Sequence, residues 1–501
     1  MINKHTFAYP NHNGCQVLSL FLGTFFILFA IAPLSQALTL KQAIEQAKQN
    51  NEKIKQYNEK LEQKTADDHA AWGNFLPSVE LEGNYYHLNG PLSIDLDGIR
   101  DVIMNLQASN QTEFANIGQI LQGYPELTDE QRAYYYSQFY SGLDSLIPHF
   151  EETFKDQDYQ TLTITATQPI FFGGKIMAAK KYAAAEKRAA AAELVKTQNE
   201  IIRETVGDYL GVVLMNQLVN LRFNVKEAMD KHHEQAQKLI NEGLIAKYHL
   251  LRAEVAVADA ERNLFDDLNR RELAALVLAH DMAVDSLDPI TLTDSLTYKQ
   301  VPYDLPYYQS LAMENQQILR MIREKRVAAN QNYNVERSEF MPHLAAFGQY
   351  EVFTEDLSSL EPEWVVGLNF QLTLFNGGQR YHKLQSAKHL QKEVDYIQAS
   401  AERQVKLWVD KSYREMRNAE ERYLKTSANI ALAEENLRQA EKRFEVGIGT
   451  SIEIVDAELE LEKNKIESLQ SLYAYYTSYA ELTLATGTPE MMIKFWTEAE
   501  N

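Results

Sequence analysis

Glu453 and Asp456 are the residues whose spacing most invites chemistry. Three positions apart, they fall on one face of a helix, and paired carboxylates there attract cations. The same stretch, Thr450-Ser451-Ile452-Glu453, also reads as a capping box at a helix start. Lys231-His232-His233-Glu234 offers two imidazoles, but it lies inside a helical run, where adjacent side chains diverge around the axis, so no metal site is expected. No phosphate-cradling loop, Ser-His-Asp ordering or paired-histidine zinc motif occurs. The single cysteine, Cys15, lies in the N-terminal segment. These features predict no catalytic residues, no metal and no cofactor, and exclude a disulfide framework or a thiol nucleophile.

The elements that carry these residues are duplicated. Phe75-Leu76-Pro77 returns as Phe340-Met341-Pro342, and Phe172-Gly173-Gly174 returns as Asn376-Gly377-Gly378. An offset of 204 carries Gly173 to Gly377, Tyr209 to Tyr413, Gln235 to Gln439, Gly243 to Gly447 and Glu254 to Glu458. Upstream the offset is 265, which carries Ala47 to Ala312, Asn50 to Asn315 and Pro77 to Pro342. The difference, 265 − 204 = 61 residues, is an excess between the two signatures in the first copy only. Repeats at fixed offset dictate architecture before any local feature does. Pro77, Pro342, Gly173, Gly174, Gly377 and Gly378 read as structural turns between strands and helices.

Composition sets the compartment. Lys4, the apolar stretch 17–32, Pro33 and Ser35-Gln36-Ala37 read as a secretory signal peptide over 1–37. The formal charge is −21, and loss of Lys4 with that leader makes it −22. Nucleic acid is not an expected partner of so acidic a chain. No segment after the leader has the length and apolarity of a transmembrane helix, so a membrane-spanning form requires a closed barrel.

Strand candidates alternate as a barrel wall demands. Val366, Leu368, Phe370, Leu372 and Leu374 share one face, opposite Gly367, Asn369, Gln371 and Thr373. Leu162, Ile164 and Ala166 alternate with Thr161, Thr163, Thr165 and Thr167. Val79, Leu81 and Tyr85 alternate with Glu80, Glu82 and Asn84, and Leu344, Ala346, Tyr350 and Val352 form a looser fourth row. Period-two alternation separates a lipid face from a polar lumen. Tyr85, Tyr86, Phe171, Phe172, Phe353, Trp364 and Phe375 sit near the strand ends as interfacial girdles would. Four strands cannot close on themselves, whereas three chains supply twelve.

Behind each Gly-Gly pair runs a long helix. Residues 176–242 and 380–446 each span 67 positions without proline. At 1.5 Å per residue each is roughly 100 Å long, far beyond a globular core. Each turns at a glycine, Gly243 or Gly447, and returns to near Met282 or Thr486. Segments 40–74 and 306–339 supply a further helical pair.

With the duplicated FLP/FMP and Gly-Gly signatures and two tip motifs, Gly243-Leu244-Ile245-Ala246-Lys247-Tyr248-His249 and Gly447-Ile448-Gly449-Thr450-Ser451-Ile452-Glu453, the chain resembles TolC-type outer-membrane efflux and secretion channels over nearly all of its length after the leader. The fold class that follows is a mixed α+β membrane protein with an internal two-fold repeat. Each chain gives four strands to a trimeric 12-stranded outer-membrane β-barrel and long helices to a periplasmic α-helical barrel. The resemblance divides the chain into a first repeat, 38–282, with strands near 78–86 and 161–171 and a helical hairpin 176–282. A linker, 283–305, precedes a second repeat, 306–486, with strands near 343–353 and 364–375 and a hairpin 380–486. The linker and the tail 487–501 form an equatorial belt.

The resemblance also implies a homotrimer acting as a passive conduit. Its partners are a periplasmic membrane-fusion (adaptor) protein, an inner-membrane RND or ABC transporter, and outer-membrane lipid. An acid six positions after the tip glycine is typical of the family, which makes Glu453, with Asp456, a periplasmic gate of six carboxylates. Gly243, Leu244, Lys247, His249, Gly447, Ile448, Gly449 and Ser451 form the tip where an adaptor docks. His249 replaces the expected acid in the first repeat; we expect a solvated helix start there, with contact to the acids of the other tip as the alternative. The insert 87–160, within which the excess falls, reads as a folded, partly helical extracellular cap, with a helix start at Thr128-Asp129-Glu130-Gln131. The competing reading is a periplasmic coiled-coil structural or adaptor protein without a pore, which has no need of four alternating strands.

Overall fold

The computed structural model describes residues 38–285, 292, 294–358 and 360–497. The expected leader with Cys15, and parts of the two belt segments, lie outside the described residues. In chain order, α1 (Leu40–Asn50) and α2 (Glu52–Gly73) lead into β1 (Ser78–His87). The insert follows as β2 (Leu92–Asp95), α3 (Asp97–Leu121), α4 (Asp129–Leu146) and β3 (Glu151–Lys155). Then come β4 (Asp158–Phe172), α5 (Lys175–Asn241) and α6 (Lys247–Asp281). The second half repeats the pattern without an insert: α7 (Leu305–Asn315), α8 (Gln317–Ser338), β5 (His343–Glu351), β6 (Trp364–Gln371), α9 (Gln379–Glu445) and α10 (Ser451–Thr486), with a final α11 (Glu490–Thr497).

The main sheet is antiparallel in the order β1-β4-β5-β6. Its register aligns the apolar rows. Leu81 pairs with Ile164, Ile164 with Tyr350, and Tyr350 with Trp364; Ala166 pairs with Gly348, and Gly348 with Val366. Directly paired residues share a face, so one side is apolar across all four strands. The other carries Glu80, Glu82, the threonine row of β4 and Gln349. Val79, Leu81, Val366, Leu368 and Phe370 are exposed on the apolar side. The boundaries differ in detail from the alternation. β4 starts earlier, at Asp158, because β1 pairs with it out to His87. β5 stops at Glu351 and β6 at Gln371, where the pairing of His343 with Gln371 ends, so Leu372 and Leu374 continue the pattern beyond any strand partner among the described residues.

Each strand-to-helix corner depends on its Gly-Gly pair. Gly173, Gly174, Gly377 and Gly378 all have positive φ, from +61° to +86°, a region that disfavours side chains. At Gly173 space excludes a side chain as well: a Cβ there would lie 2.6 Å from Met341 Cβ and 2.8 Å from the Ser338 carbonyl. The first repeat's glycine corner is thus seated in the second repeat's FMP corner. At Gly377 the same position is open.

α5 and α9 are 67 residues each. α5 packs against α6, α8, α2 and α10, and α9 against α10, α8 and α7. Segments 40–74 and 306–339 are each broken into two helices, at Asn51 (ψ 124°) and Gln316 (ψ 120°). Asn51 Nδ2 donates to the Asp281 carbonyl at 3.2 Å, and Gln316 Nε2 donates to the Ala485 carbonyl at 2.9 Å. The donors differ by 316 − 51 = 265 and the acceptors by 485 − 281 = 204, the two offsets of the sequence repeat.

The largest core gathers residues of the long helices with Leu296 of the linker and with Met492, Phe495 and Trp496 of α11. Tyr209, Tyr308, Tyr475, Tyr476 and Tyr479 are fully buried there. Tyr475 Oη donates to the Lys299 carbonyl at 2.8 Å, Tyr476 Oη donates to the Thr297 carbonyl, and Trp496 Nε1 donates to Asp294 Oδ2 at 3.0 Å. The linker is thereby strapped to α10, and α11 to the linker. No helix among the described residues is long and apolar enough to cross a membrane.

Between belt and tip, Arg222 of α5 joins α6 and α10. Its Nε lies 2.9 Å from Asp267 Oδ2, and its Nη1 bonds Glu462; both carboxylates are buried. Removing one partner of a buried ion network leaves uncompensated charge and costs about 3–5 kcal/mol. Arg222→Met is therefore expected to lower the thermal stability of the helices by that order, read by circular dichroism in detergent. Arg438→Met, which removes an exposed pair with Glu435, should leave that stability nearly unchanged.

Candidate functional site

The candidate site is the end of the helical body, where α5 turns into α6 and α9 into α10. Both turns use the same device. Gly243 has φ +75° and donates to the Ile240 carbonyl, while Leu244 donates to that of Leu239. Gly447 has φ +78° and donates to the Phe444 carbonyl, while Ile448 donates to that of Arg443. These paired bonds are Schellman closures, which satisfy the last carbonyls of each long helix. Gly449 adds a third constraint, because a Cβ there would lie 2.7 Å from the Phe444 nitrogen.

The two helix starts then diverge. α10 is capped: Thr450 Oγ1 accepts from the Glu453 amide at 3.4 Å. Glu453 Oε2 also faces Arg443 Nε across the turn at 3.3 Å, with both side chains substantially exposed. Asp456 is exposed one turn along. α6 begins at Lys247 with no side-chain cap. Lys247, Leu244 and Ile448 are exposed.

His249 departs from the expected solvated start. It is 8 % exposed, its ring 4.0 Å from that of Tyr248, and its Nδ1 is buried without a partner. Ser451 is fully buried, so it does not offer its side chain to an outside partner. Its Oγ lies 2.6 Å from Nε2 of His232, which is 4 % exposed and stands edge-on to Phe444. This bond ties α5 of the first repeat to the start of α10 in the second. Around it pack Ala236, Ala253, Ala440, Phe444, Ile454 and Ala457. His233 diverges from its neighbour, 3.9 Å from Glu254 of α6. Among the described residues no group of three or more His, Cys, Asp or Glu side chains is placed to hold a metal.

Sequence reasoning passed over His232 as half of an unpromising pair. Its signal is helical spacing: Val225, Met229, His232 and Ala236 form one buried stripe on α5. A histidine on an apolar stripe has to find a partner or lose its charge. Burial first, then the nearby His233 and His249, hold the His232 imidazole down at about 4. Its Nδ1 has no partner, so a second proton has no acceptor within the junction.

The comparisons with known proteins follow this geometry. The family model described as outer membrane efflux protein matches residues 124–280 and 308–488. The outer membrane protein TolC of Vibrio cholerae is 24 % identical over 177 residues, 35 % of this chain and 40 % of that protein, so the alignment spans less than half of the curated relative. The structure of the outer membrane protein VceC from Vibrio cholerae aligns over 90 % of this chain and 96 % of its own, with TM-score 0.67 and 18 % identity. The Campylobacter jejuni CmeC outer membrane channel aligns over 98 % and 97 %, with TM-score 0.66 and 14 % identity. At these identities the structural likeness speaks for the fold.

The His232 link gives a pH prediction. A histidine at about 4 when packed and 6.5 when free stabilises the packed junction fully above pH 6.5. That stability is lost as pH falls from 6.5 toward 4, by on the order of 1 kcal/mol per pH unit per chain. Thermal unfolding in detergent across this window should fall more steeply for the natural chain than for His232→Gln. Parallel curves would refute the assignment.

Proposed function

This chain belongs to the outer membrane efflux protein family, with its sheet in the outer membrane and its long helices in the periplasm, and from that premise we propose that three copies form a passive exit duct. The duct serves a tripartite efflux pump or a type I secretion system. One observation carries the reading: the apolar rows of β1, β4, β5 and β6 fall on one face, while β1 and β6 are left as open edges. Open edges are untenable in hydrocarbon. Pairing β6 of each copy with β1 of the next yields twelve strands and a polar lumen lined by Glu80, Glu82 and the threonines of β4. The vacancy beside Gly377 supports this closure. Met341 fills the corresponding place beside Gly173, and Leu76, 265 positions before Met341, is exposed at the other edge of the sheet. In the ring, Leu76 of the neighbouring copy takes that place. The two halves of each chain are thereby an internal duplication that gives the ring approximate six-fold character.

The tips are the docking end for a periplasmic adaptor protein and, with it, an inner-membrane RND or ABC transporter that supplies the energy. The exposed Leu244, Lys247 and Ile448 flank the glycine turns and offer that contact. Glu453 and Asp456 of three copies make the acidic gate. Capping and gating coexist at Glu453: its amide serves the Thr450 cap, and its carboxylate, partly offset by Arg443, faces solvent.

Two experiments test the reading. Purified in detergent, the chain should have the mass of a trimer and conduct in planar bilayers. Phe370→Lys places a charge on the lipid face and should impair insertion by about 2–4 kcal/mol, with Asn369→Lys on the lumen face mild. Equal effects, or a monomer without conductance, would refute the barrel. For the gate, charged rings select cations, so multivalent cations added on the helical side should block the channel. Glu453→Gln with Asp456→Asn should weaken that block severalfold while leaving the trimer intact, and unchanged block would reduce both residues to a structural role.

A further inference from the structure

The insert carries a feature that a duct does not need. α3 is amphipathic in an inverted sense. The face packed on α4 holds Arg100, Met104, Ala108, Thr112 and Asn116. Arg100 is buried and bonds the Asp144 carboxylate at 2.7 Å and the Ile147 carbonyl at 2.9 Å; Asn116 Oδ1 accepts from the Leu127 amide at 2.9 Å. The opposite face, turned to solvent, is apolar: Ile99, Ile103, Leu106, Phe114, Ile117 and Leu121 are all exposed, Leu106 to 63 % and Phe114 to 67 %. An apolar stripe this long on a 25-residue helix, interrupted only at its middle by Asn110 and Glu113, is more than a monomeric surface carries without a use.

We propose that this stripe is where the α3 helices of three copies of the chain pack against one another on the threefold axis, beyond the mouth of the barrel. The proposal rests on the trimer reading above, and the stripe's own pattern chooses the occupant. Ile103, Asn110 and Ile117 recur every seven residues, and so do Ile99, Leu106, Glu113 and Ile120. Those are the two core positions of a heptad, and isoleucine at both favours three or more strands over two. Helices related by a threefold axis run parallel, as such a coiled coil requires. A lone asparagine at a core position fixes register, which suits Asn110. Glu113, the one charge from 102 to 121, lies 3.5 Å from Arg132 of α4.

A membrane surface fits less well. Helices that lie on lipid carry lysine and arginine on their polar face, whereas the single basic residue of α3 is Arg100, buried under α4. The stalk below is braced for assembly. Lys155 of β3 pairs with Glu361 and donates to the Asp356 carbonyl at 2.7 Å, both in the loop of the second hairpin. The helical pair is therefore held before it meets its copies, which reduces the entropy lost on packing.

Cysteine pairing tests the contact, because Cys15 is the single natural cysteine and is replaced by serine for the purpose. Leu106→Cys in the full chain, oxidised mildly in outer-membrane vesicles, should give disulfide-linked dimers. At most about two chains in three can be linked, since three cysteines on one axis form one pair. Asp101→Cys, exposed on the other side of α3, should stay unlinked. A trimer by mass in which neither Leu106→Cys nor Ile103→Cys links would overturn the helix contact and leave the duct reading standing. Linkage of Leu106→Cys to a different protein, or its burial in lipid shown by quenching of an attached fluorophore with brominated lipid, would overturn it too. A chain that never forms trimers would overturn both readings together.

Discussion

Among the described residues strand β6 forms one edge of the sheet and β1 the other. In water those rows of amides and carbonyls would be hydrated. In hydrocarbon each unsatisfied group costs several kcal/mol. That cost makes the single chain an incomplete object, and much else follows from it. The corner glycines must let each strand turn into a helix next to the corner of the following repeat, which is why Gly173 is seated against Met341. The helices then inherit the spacing of the strands. α5 and α9 leave equivalent corners, and each runs for 67 residues.

Much of this was legible because the signals are local. Period-two alternation and left-handed glycines are set within a few residues, so the four strand rows and the two helix starts could be read directly. The misjudged parts depend on distant partners. Leu372 and Leu374 alternate correctly but have no strand to pair with among the described residues. The breaks at Asn51 and Gln316 carry no proline or glycine, because the bend is held by carbonyls of the return helices at Asp281 and Ala485. The Arg222 network joins three helices and left no trace in spacing. His249 stands at a helix start, where solvation is the ordinary expectation, and only tertiary packing buries it.

At the tips the two repeats have kept one backbone and changed its chemistry. Both turns close with the same pair of hydrogen bonds, so the trace of the chain is common property. α10 has a side-chain cap and an acid in its first turn, whereas α6 has neither. Its histidine is instead buried, and His232, buried as well, bonds Ser451 across the two repeats. In the proposed ring, approximate six-fold geometry would thus coexist with three-fold chemistry, and a partner docking at the tips would meet two different surfaces in alternation.

The same alternation has a consequence at the far end. The 61-residue excess belongs to one hairpin in each chain, while the loop of the other, between β5 and β6, is short. Around a ring of six hairpins, tall stalks would therefore alternate with low ones. If the stalks lean together on the axis, the low hairpins become the sills of three side windows. Cargo would leave sideways, beneath a roof, and large molecules outside would meet a grille whose bars are set by hairpin height.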